Sequence, residues 1–297
     1  MNPRQSLRTQ LAERAPVLAP GVYDGLSAAL VRNAGFSAAY MTGAGVAASV
    51  LGRPDIGLTT LTEMRQAAER ITAVLGDIPL IADADTGFGN VAQVYRTVGE
   101  YERAGVSAIQ LEDQAFPKRC GHLDGKEVIP AQEFAAKLHA AQEARTDEDF
   151  LIIARTDALA PLGFDEALRR AKLYAQAGAD LIFVEAPQTM EQIRRIPGEF
   201  DVPCLFNDVP RGHTPAVDHA TLAELGYGLV IAPGLCNGAA AVAIDAGLRA
   251  LRAGKHNTGA VPQLSPHELF DALGLPFWED LRQRHELPVE DVAAARA

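Results

Sequence analysis

Cysteine is scarce in this chain: Cys120, Cys204 and Cys236 are the only three among 297 residues. Thiols so few and so far apart form no disulfide framework, and the expected compartment is the reducing cytoplasm. Basic charge is also short. The 27 Lys and Arg face 38 Asp and Glu, for a net charge of −11. Nucleic-acid proteins carry a basic footprint, so no nucleic-acid partner is expected, nor is binding to anionic membranes. An acidic protein can still bind an acidic substrate where one pocket concentrates Arg, Lys or a cation. Long hydrophobic runs are missing too. None reaches the roughly 20 residues of a membrane span. The start, Met1-Asn2-Pro3-Arg4-Gln5-Ser6, leads into charged sequence rather than the apolar core of a signal peptide. No Gly-x-Gly-x-x-Gly opens the first predicted helix, which leaves a dinucleotide-binding reading without support. No pair of His or Cys stands at zinc spacing.

What the sequence does have is repetition. Short, continuously apolar runs predict strands at 17–22, 36–41, 79–83, 106–112, 150–155, 180–185, 203–207 and 227–232. Helical stretches alternate with them, at 24–35, 58–75, 91–104, 131–144, 165–177, 190–195, 216–225 and 235–253. Thr59 or Thr60 is the expected cap of the second, and a long loop holding Arg53-Pro54-Asp55 is expected before it. Apolar strands joined by helices indicate a parallel sheet buried on both faces. Eight such units point to an α/β fold, a (β/α)₈ TIM barrel, with an open sheet as runner-up. Residues 1–297 read as one domain in which 261–297 form a C-terminal helical extension. Its apolar Leu269, Phe270, Leu273, Phe277 and Trp278 need burial, and contact with another subunit is one outlet.

In such a barrel the active site lies at the carboxyl ends of the strands. Polar residues gather at six consecutive ends: Tyr40 and Thr42, Asp83 and Asp85, Glu112 and Asp113, Arg155 and Asp157, Glu185, and Asn207 with Asp208. Isolated strand-end polar residues are often caps or loop anchors; six in succession favour a shared site. Asp83 and Asp85 are two apart and share a strand face. Together with Glu112 they form a crowd of carboxylates, which raise one another's pKa unless a cation intervenes. A hard divalent ion suits them, Mg²⁺ first and Mn²⁺ as the alternative. Arg155 suits a substrate carboxylate, because its fork binds one bidentately. An ion pair with Glu185 or Asp157 is its structural alternative. Thr42-Gly43-Ala44-Gly45 could offer backbone N–H groups to an anion.

The chain is organised around Gln110-Leu111-Glu112-Asp113-Gln114-Ala115-Phe116-Pro117-Lys118-Arg119-Cys120-Gly121-His122. The strand ends in a carboxylate pair, and the following loop brings Lys118, Arg119, Cys120 and His122 within five residues. Next to two cations the thiol is expected to have a depressed pKa and to be partly thiolate. It could then move a proton or attack near neutral pH. A solvated basic turn with an incidental Cys is the bland alternative. His122 could orient or charge-pair with Cys120. His139, His213, His219 and His256 read as surface residues, Cys204 as a small core residue, and Cys236 as peripheral.

Pro117-Lys118-Arg119-Cys120-Gly121-His122 resembles the Lys-Lys/Arg-Cys-Gly-His signature of the isocitrate lyase / phosphoenolpyruvate mutase superfamily. The likeness extends to Tyr23-Asp24-Gly25-Leu26-Ser27-Ala28, Asp83-Ala84-Asp85-Thr86-Gly87-Phe88-Gly89, Leu111-Glu112-Asp113-Gln114 and Ala154-Arg155-Thr156-Asp157-Ala158. The resemblance implies a barrel whose last helix swaps between subunits of a homodimer or homotetramer. It implies Mg²⁺ at Asp83, Asp85 and Glu112, partly through water, and a substrate carboxylate at Thr42, Gly43 and Ala44. It implies gating by Asp55 and the loop 114–128, and a catalytic group of Lys118, Cys120, His122 and Arg155 in which Cys120 is the proton donor. Tyr40, Gly121, Glu185 and Asn207 complete the expected substrate contacts. Keeping Cys120 favours carbon–carbon cleavage over mutase chemistry. Similar 2-methylisocitrate lyases carry an Asn-Ile-Thr segment after strand seven and an Arg after strand eight. Here the places read Asn207-Asp208-Val209 and Pro233-Gly234-Leu235-Cys236-Asn237-Gly238. A small 2-hydroxy dicarboxylate is therefore expected ahead of a tricarboxylate, with oxaloacetate decarboxylation as the alternative. A phosphonate mutase or hydrolase and a non-catalytic binding protein rank lower.

Overall fold

The computed structural model describes residues 2–13, 15–254 and 261–286. Eight parallel strands close into a barrel in simple chain order. They are β1 (Val17–Val22), β2 (Ala39–Met41), β3 (Leu80–Asp83), β4 (Ala108–Glu112), β5 (Leu151–Thr156), β6 (Leu181–Val184), β7 (Cys204–Asn207) and β8 (Tyr227–Ala232). The register aligns the ends that matter: Asp83 pairs with Gln110, and Glu112 with Arg155. The expected (β/α)₈ architecture is the one observed.

The helices follow in chain order. α1 (Pro3–Leu11) precedes β1, and α2 (Gly25–Asn33), α3 (Gly43–Val46) and α4 (Leu61–Leu75) come next. α5 (Val91–Arg103), α6 (Ala131–Ala144), α7 (Leu159–Leu162), α8 (Phe164–Gln176), α9 (Met190–Arg195) and α10 (His219–Leu225) complete the wrapping. Local chemistry sets their starts. Thr60, not Thr59, caps α4, in a reciprocal capping box with Glu63, and Asp24 caps α2 with Ser27 in the same way. Two segments differ from expectation. The stretch after β2 is not a loop up to Arg53: α3 runs into a π-helical turn, Ala47–Leu51. Its Gly- and Ala-rich sequence has too little side-chain periodicity to announce a helix. The other is α1, whose polar sequence conceals its function in packing: Leu7 is 1% exposed and joins the cluster that fills the barrel interior. Burying such a side chain contributes about 1.5–3 kcal/mol.

Alternation along the strands makes two cores. One face packs against the helices, through residues such as Val22, Met41, Ala82, Ile109, Ile152 and Ile182. The other fills the barrel axis with Val17, Tyr40, Ile81, Ile153, Phe183, Leu205 and Ile231. Above that apolar column the interior turns polar.

The chain divides into two compact units, Met1–Ala241 and Val242–Ala297, with the boundary inside α11 (Leu235–Arg252). The second unit also contains α12 (Pro266–Ala272) and α13 (Leu275–His285), both within the expected helical extension. Its apolar side chains are largely exposed: Val242, Ile244, Leu248, Leu251, Phe270, Leu273, Phe277 and Trp278. His256 and the end of the expected extension beyond 286 lie outside the described residues. No helix among the described residues is long and apolar enough to cross a membrane.

Candidate active site

A cavity of about 150 Å³ opens at the carboxyl ends of the strands, lined by Tyr40, Thr42, Ala44, Asp55, Asp83, Glu112, Lys118, Cys120, Gly121, His122, Arg155, Glu185 and Asn207. Nearly every residue singled out in the sequence therefore meets in one place. Gly43 and Asp85 stand just behind the wall. The Gly43 amide donates to Asp83 Oδ2 (3.2 Å), and the Asp85 amide to Asp83 Oδ1 (3.0 Å). Asp85 sits at φ 47°, a left-handed turn that Asp tolerates better than most residues.

Lys118 reaches into the carboxylates. Its Nζ lies 2.5 Å from Asp55 and 2.6 Å from Asp85, with only 3% of the side chain exposed. Burial works against its charge, but Asp85, Glu112, Asp83 and Asp55 outweigh that and raise its pKa well above the ordinary lysine value. The carboxylates feel the opposite pressure. Burial first and Asp85 second push Asp83 up to about 6. Burial raises Glu112 well above its ordinary range, against the pull of Arg155. Glu112 Oε1 is buried with no hydrogen-bond partner among the described residues. An orphaned oxygen beside crowded, oxygen-only donors fits a hard divalent cation. No three His, Cys, Asp or Glu among the described residues stand close enough to enclose an ion by themselves. The set therefore suits an ion that keeps part of its water, held by one or two carboxylates directly.

Arg155 is fixed by Asp157 in a two-point contact, Nε–Oδ2 2.8 Å and Nη2–Oδ1 3.0 Å. Glu112 and Glu185 stand farther off, at 3.5 and 3.6 Å. Its guanidinium also lies over the Phe183 ring, 5.1 Å from the centroid. The ion pair with Asp157 and a face open to the cavity coexist. Burial opposes the Asp157 charge, but Arg155 and Lys126 overcome it and lower its pKa to about 2.

Cys120 corrects the sequence reading. Its thiol pKa is raised, chiefly by burial, with Asp55 and Glu185 adding to it. The two neighbouring cations in sequence do not serve it in space. Lys118 is committed to Asp55 and Asp85, and Arg119 is exposed, its guanidinium turned to the Asp124 carbonyl (3.4 Å). The surroundings favour the thiol over the thiolate. That loop approaches the barrel too closely for a side chain at Gly121, where a Cβ would overlap Glu185 Oε1 and Arg155 Nη2.

The cavity has further lining residues, most of them in the segments after β7 and β8 that the sequence tied to substrate choice without naming site residues there. Val209, Ile231, Pro233, Gly234 and Asn237 form the side facing β7 and β8. Gln110 links Tyr40 to Asp83, accepting from the Tyr40 hydroxyl (2.7 Å) and donating to Asp83 Oδ1 (3.3 Å). Its place two residues before Glu112 on one strand was the available signal. Buried Lys126 donates to the Gly121 carbonyl (2.5 Å) and to Asp157 Oδ1 (3.0 Å), tying the Cys120 loop to the Arg155 pair. Cys204 is a buried strand residue, as expected, and Cys236 does not line the cavity.

The phosphoenolpyruvate phosphomutase family model matches residues 7–252. The chain belongs to the phosphoenolpyruvate mutase / isocitrate lyase superfamily. It is 48% identical to the 2,3-dimethylmalate lyase of Eubacterium barkeri over 78% of this chain and 80% of that one. To a 2-methylisocitrate lyase of Aeropyrum pernix it is 46% identical, over 76% of this chain and 72% of the other. Among solved structures it is similar to oxaloacetate acetylhydrolase bound to 3,3-difluorooxalacetate, with a TM-score of 0.91 and 36% identity over 97% of this chain and 98% of that one. These relatives are named for acting on small carboxylic acids, and several of them are named as lyases.

Proposed function

We propose that this lyase cleaves a carbon–carbon bond in a small 2-hydroxy dicarboxylate of the 2-alkylmalate type, releasing a 2-oxo acid such as pyruvate. The observation that carries the reading is one small cavity that brings together the Cys120 thiol, an arginine and a cluster of buried carboxylates. Asp83, Asp85 and Glu112 would hold Mg²⁺ or Mn²⁺, partly through water. When bound, the ion supplies electrostatic stabilisation of the oxyanion that develops on the substrate.

The residues of the chain do the rest. Arg155, held in place by Asp157, pairs with one substrate carboxylate, and the Ala44 amide at the start of α3 receives the other, the Thr42 and Gly43 amides being taken by the Val22 carbonyl and Asp83 Oδ2. Lys118 keeps Asp55 and Asp85 in register beneath them. Loss of the substrate hydroxyl proton to a base lets the C2–C3 electron pair leave toward C3. The C2 oxygen becomes a carbonyl, and the departing fragment is a carboxylate-stabilised carbanion. Cys120 Sγ–H protonates that carbon. A raised thiol pKa suits an acid that must still hold its proton near neutrality. The gating loop and Gly121 bring Cys120 over the cavity and exclude water.

The far wall decides the class of diacid. Val209, Ile231, Pro233 and Gly234 offer an apolar surface, and Asn237 only a neutral amide. An alkyl substituent fits there; a third carboxylate would have no cation. Oxaloacetate cleavage is the second reading, favoured by the likeness to oxaloacetate acetylhydrolase. The exposed apolar residues of α11 to α13 would be covered by another copy of the chain, in a homodimer or homotetramer. Turnover of 2,3-dimethylmalate with Mg²⁺, followed as 2-oxo acid release, tests the main reading. Turnover of oxaloacetate alone would replace it with the second.

A further inference from the structure

Beyond Val209, the segment that follows β7, from Pro210 to Asp218, has no assigned part in the reaction, yet it touches the catalytic loop. The His213 backbone amide donates to His122 Nδ1 (3.2 Å). The His213 ring nitrogen Nε2 lies 3.0 Å from the His122 carbonyl, and the two rings stack with centroids 6.0 Å apart. An amide N–H can only donate, so Nδ1 of His122 must be an acceptor. A carbonyl can only accept, so the His213 ring carries its proton on Nε2. The remaining proton of a neutral His122 is therefore on Nε2. That atom is buried, has no hydrogen-bond partner among the described residues, and stands 3.4 Å from Glu185 Oε1 at the edge of the cavity.

Gly212 makes the approach possible. A Cβ there would sit 2.6 Å from His122 Nδ1 and 2.8 Å from its Cε1. The preceding Arg211 takes a left-handed conformation, φ 62°, that turns the backbone under the ring. His213 is solvent-exposed, as expected, and two of its groups are also spent on His122.

We propose that Gly212 and His213 are positioning residues that set the tautomer and ring orientation of His122, so that its Nε2–H points into the cavity as a donor to a substrate oxygen. They act only through His122, and with Asn207, which donates to both oxygens of Glu185 (3.3 and 3.2 Å), they make the β7 side a frame for the catalytic loop. The inference rests on the lyase reading only for its kinetic part; the tautomer belongs to the resting protein.

The test begins there. Protein labelled with ¹⁵N-histidine, with His122 assigned by its loss in His122→Asn, is observed by long-range ¹H–¹⁵N NMR at mildly alkaline pH. The expected result is a neutral His122 protonated on Nε2. In Gly212→Ala that signature shifts to mixed tautomers, and turnover of the diacid falls on the order of 10-fold or more, a misplacement effect. Because Gly212→Ala could disturb folding, His213 gives an independent arm. His213→Ala should lower turnover several-fold, and His213→Gln, whose side-chain N–H can reach the His122 carbonyl, should restore most of it. A His122 protonated on Nδ1 in the unmodified protein would overturn the proposal, as would an unchanged tautomer and turnover in both Gly212→Ala and His213→Ala. If no diacid is turned over, the lyase reading fails while the tautomer result still decides this one.

Discussion

The two sides of the cavity are unlike. The ends of β3 to β6 present Asp83, Glu112, Arg155 and Glu185, with Lys118 and Asp55 alongside, all buried or nearly so. The ends of β7 and β8 present Val209, Ile231, Pro233, Gly234 and two amides, Asn207 and Asn237. The first side can neutralise carboxylates and carry charge that develops during a reaction. The second can only accommodate bulk. On the proposed reading the difference would orient the substrate: one carboxylate toward Arg155, the other toward α3 after β2, and an alkyl group toward β8.

The charged side should be intolerant of change. Cys120→Ala removes the acid, and turnover of the diacid should fall by about 10²–10⁴-fold, the usual worth of a positioned acid. Substrate should still bind, as read by calorimetry, and loss of binding as well would argue against the acid role. Asp157→Asn strips Arg155 and Lys126 of a shared buried partner. It should destabilise the fold by about 3 kcal/mol at neutral pH, measured by urea unfolding. The sign with pH follows from its lowered pKa. A carboxylate moved from 3.8 down to about 2 contributes stability above pH 4 that is lost as pH falls through that range. The gap between the unmodified protein and Asp157→Asn should therefore narrow on acidification to about pH 2.

Changes on the neutral side should alter choice rather than rate. Asn237→Arg places a cation on the side that lacks one. The ratio of kcat/KM for 2-methylisocitrate to that for 2,3-dimethylmalate should rise by roughly 10-fold, about 1.4 kcal/mol. An unchanged ratio would break the link between that wall and a third carboxylate. The smallest effect is expected at Tyr40→Phe. It removes one buried hydrogen bond to Gln110 and should cost about 1 kcal/mol of stability, visible as a modest loss of Tm.

The barrel was legible because each of its strands is a continuous apolar run, a pattern that parallel sheets require. The candidate site was legible because strand-end polarity recurs at one end of a closed barrel. What escaped did so for local reasons. α1 fills the barrel floor through Leu7, one apolar residue in a polar helix. The two cations beside Cys120 in sequence are otherwise engaged: Lys118 turns to carboxylates, and Arg119, which also lines the cavity, directs its guanidinium to the Asp124 carbonyl. Spacing along a loop does not say which side a residue faces. The clasp of His213 on His122 joins residues 91 apart, and nothing in either local sequence reports it.

The central claim is that the cavity selects a dicarboxylate with an apolar substituent. Measuring kcat/KM with Mg²⁺ for 2,3-dimethylmalate, oxaloacetate, 2-methylisocitrate and isocitrate, followed as 2-oxo acid formed or consumed, tests it most directly. 2,3-Dimethylmalate is expected to exceed both tricarboxylates by about 10-fold or more. A preference for 2-methylisocitrate or isocitrate would contradict it, because the third carboxylate would then have found a partner on the side where only amides and apolar groups stand.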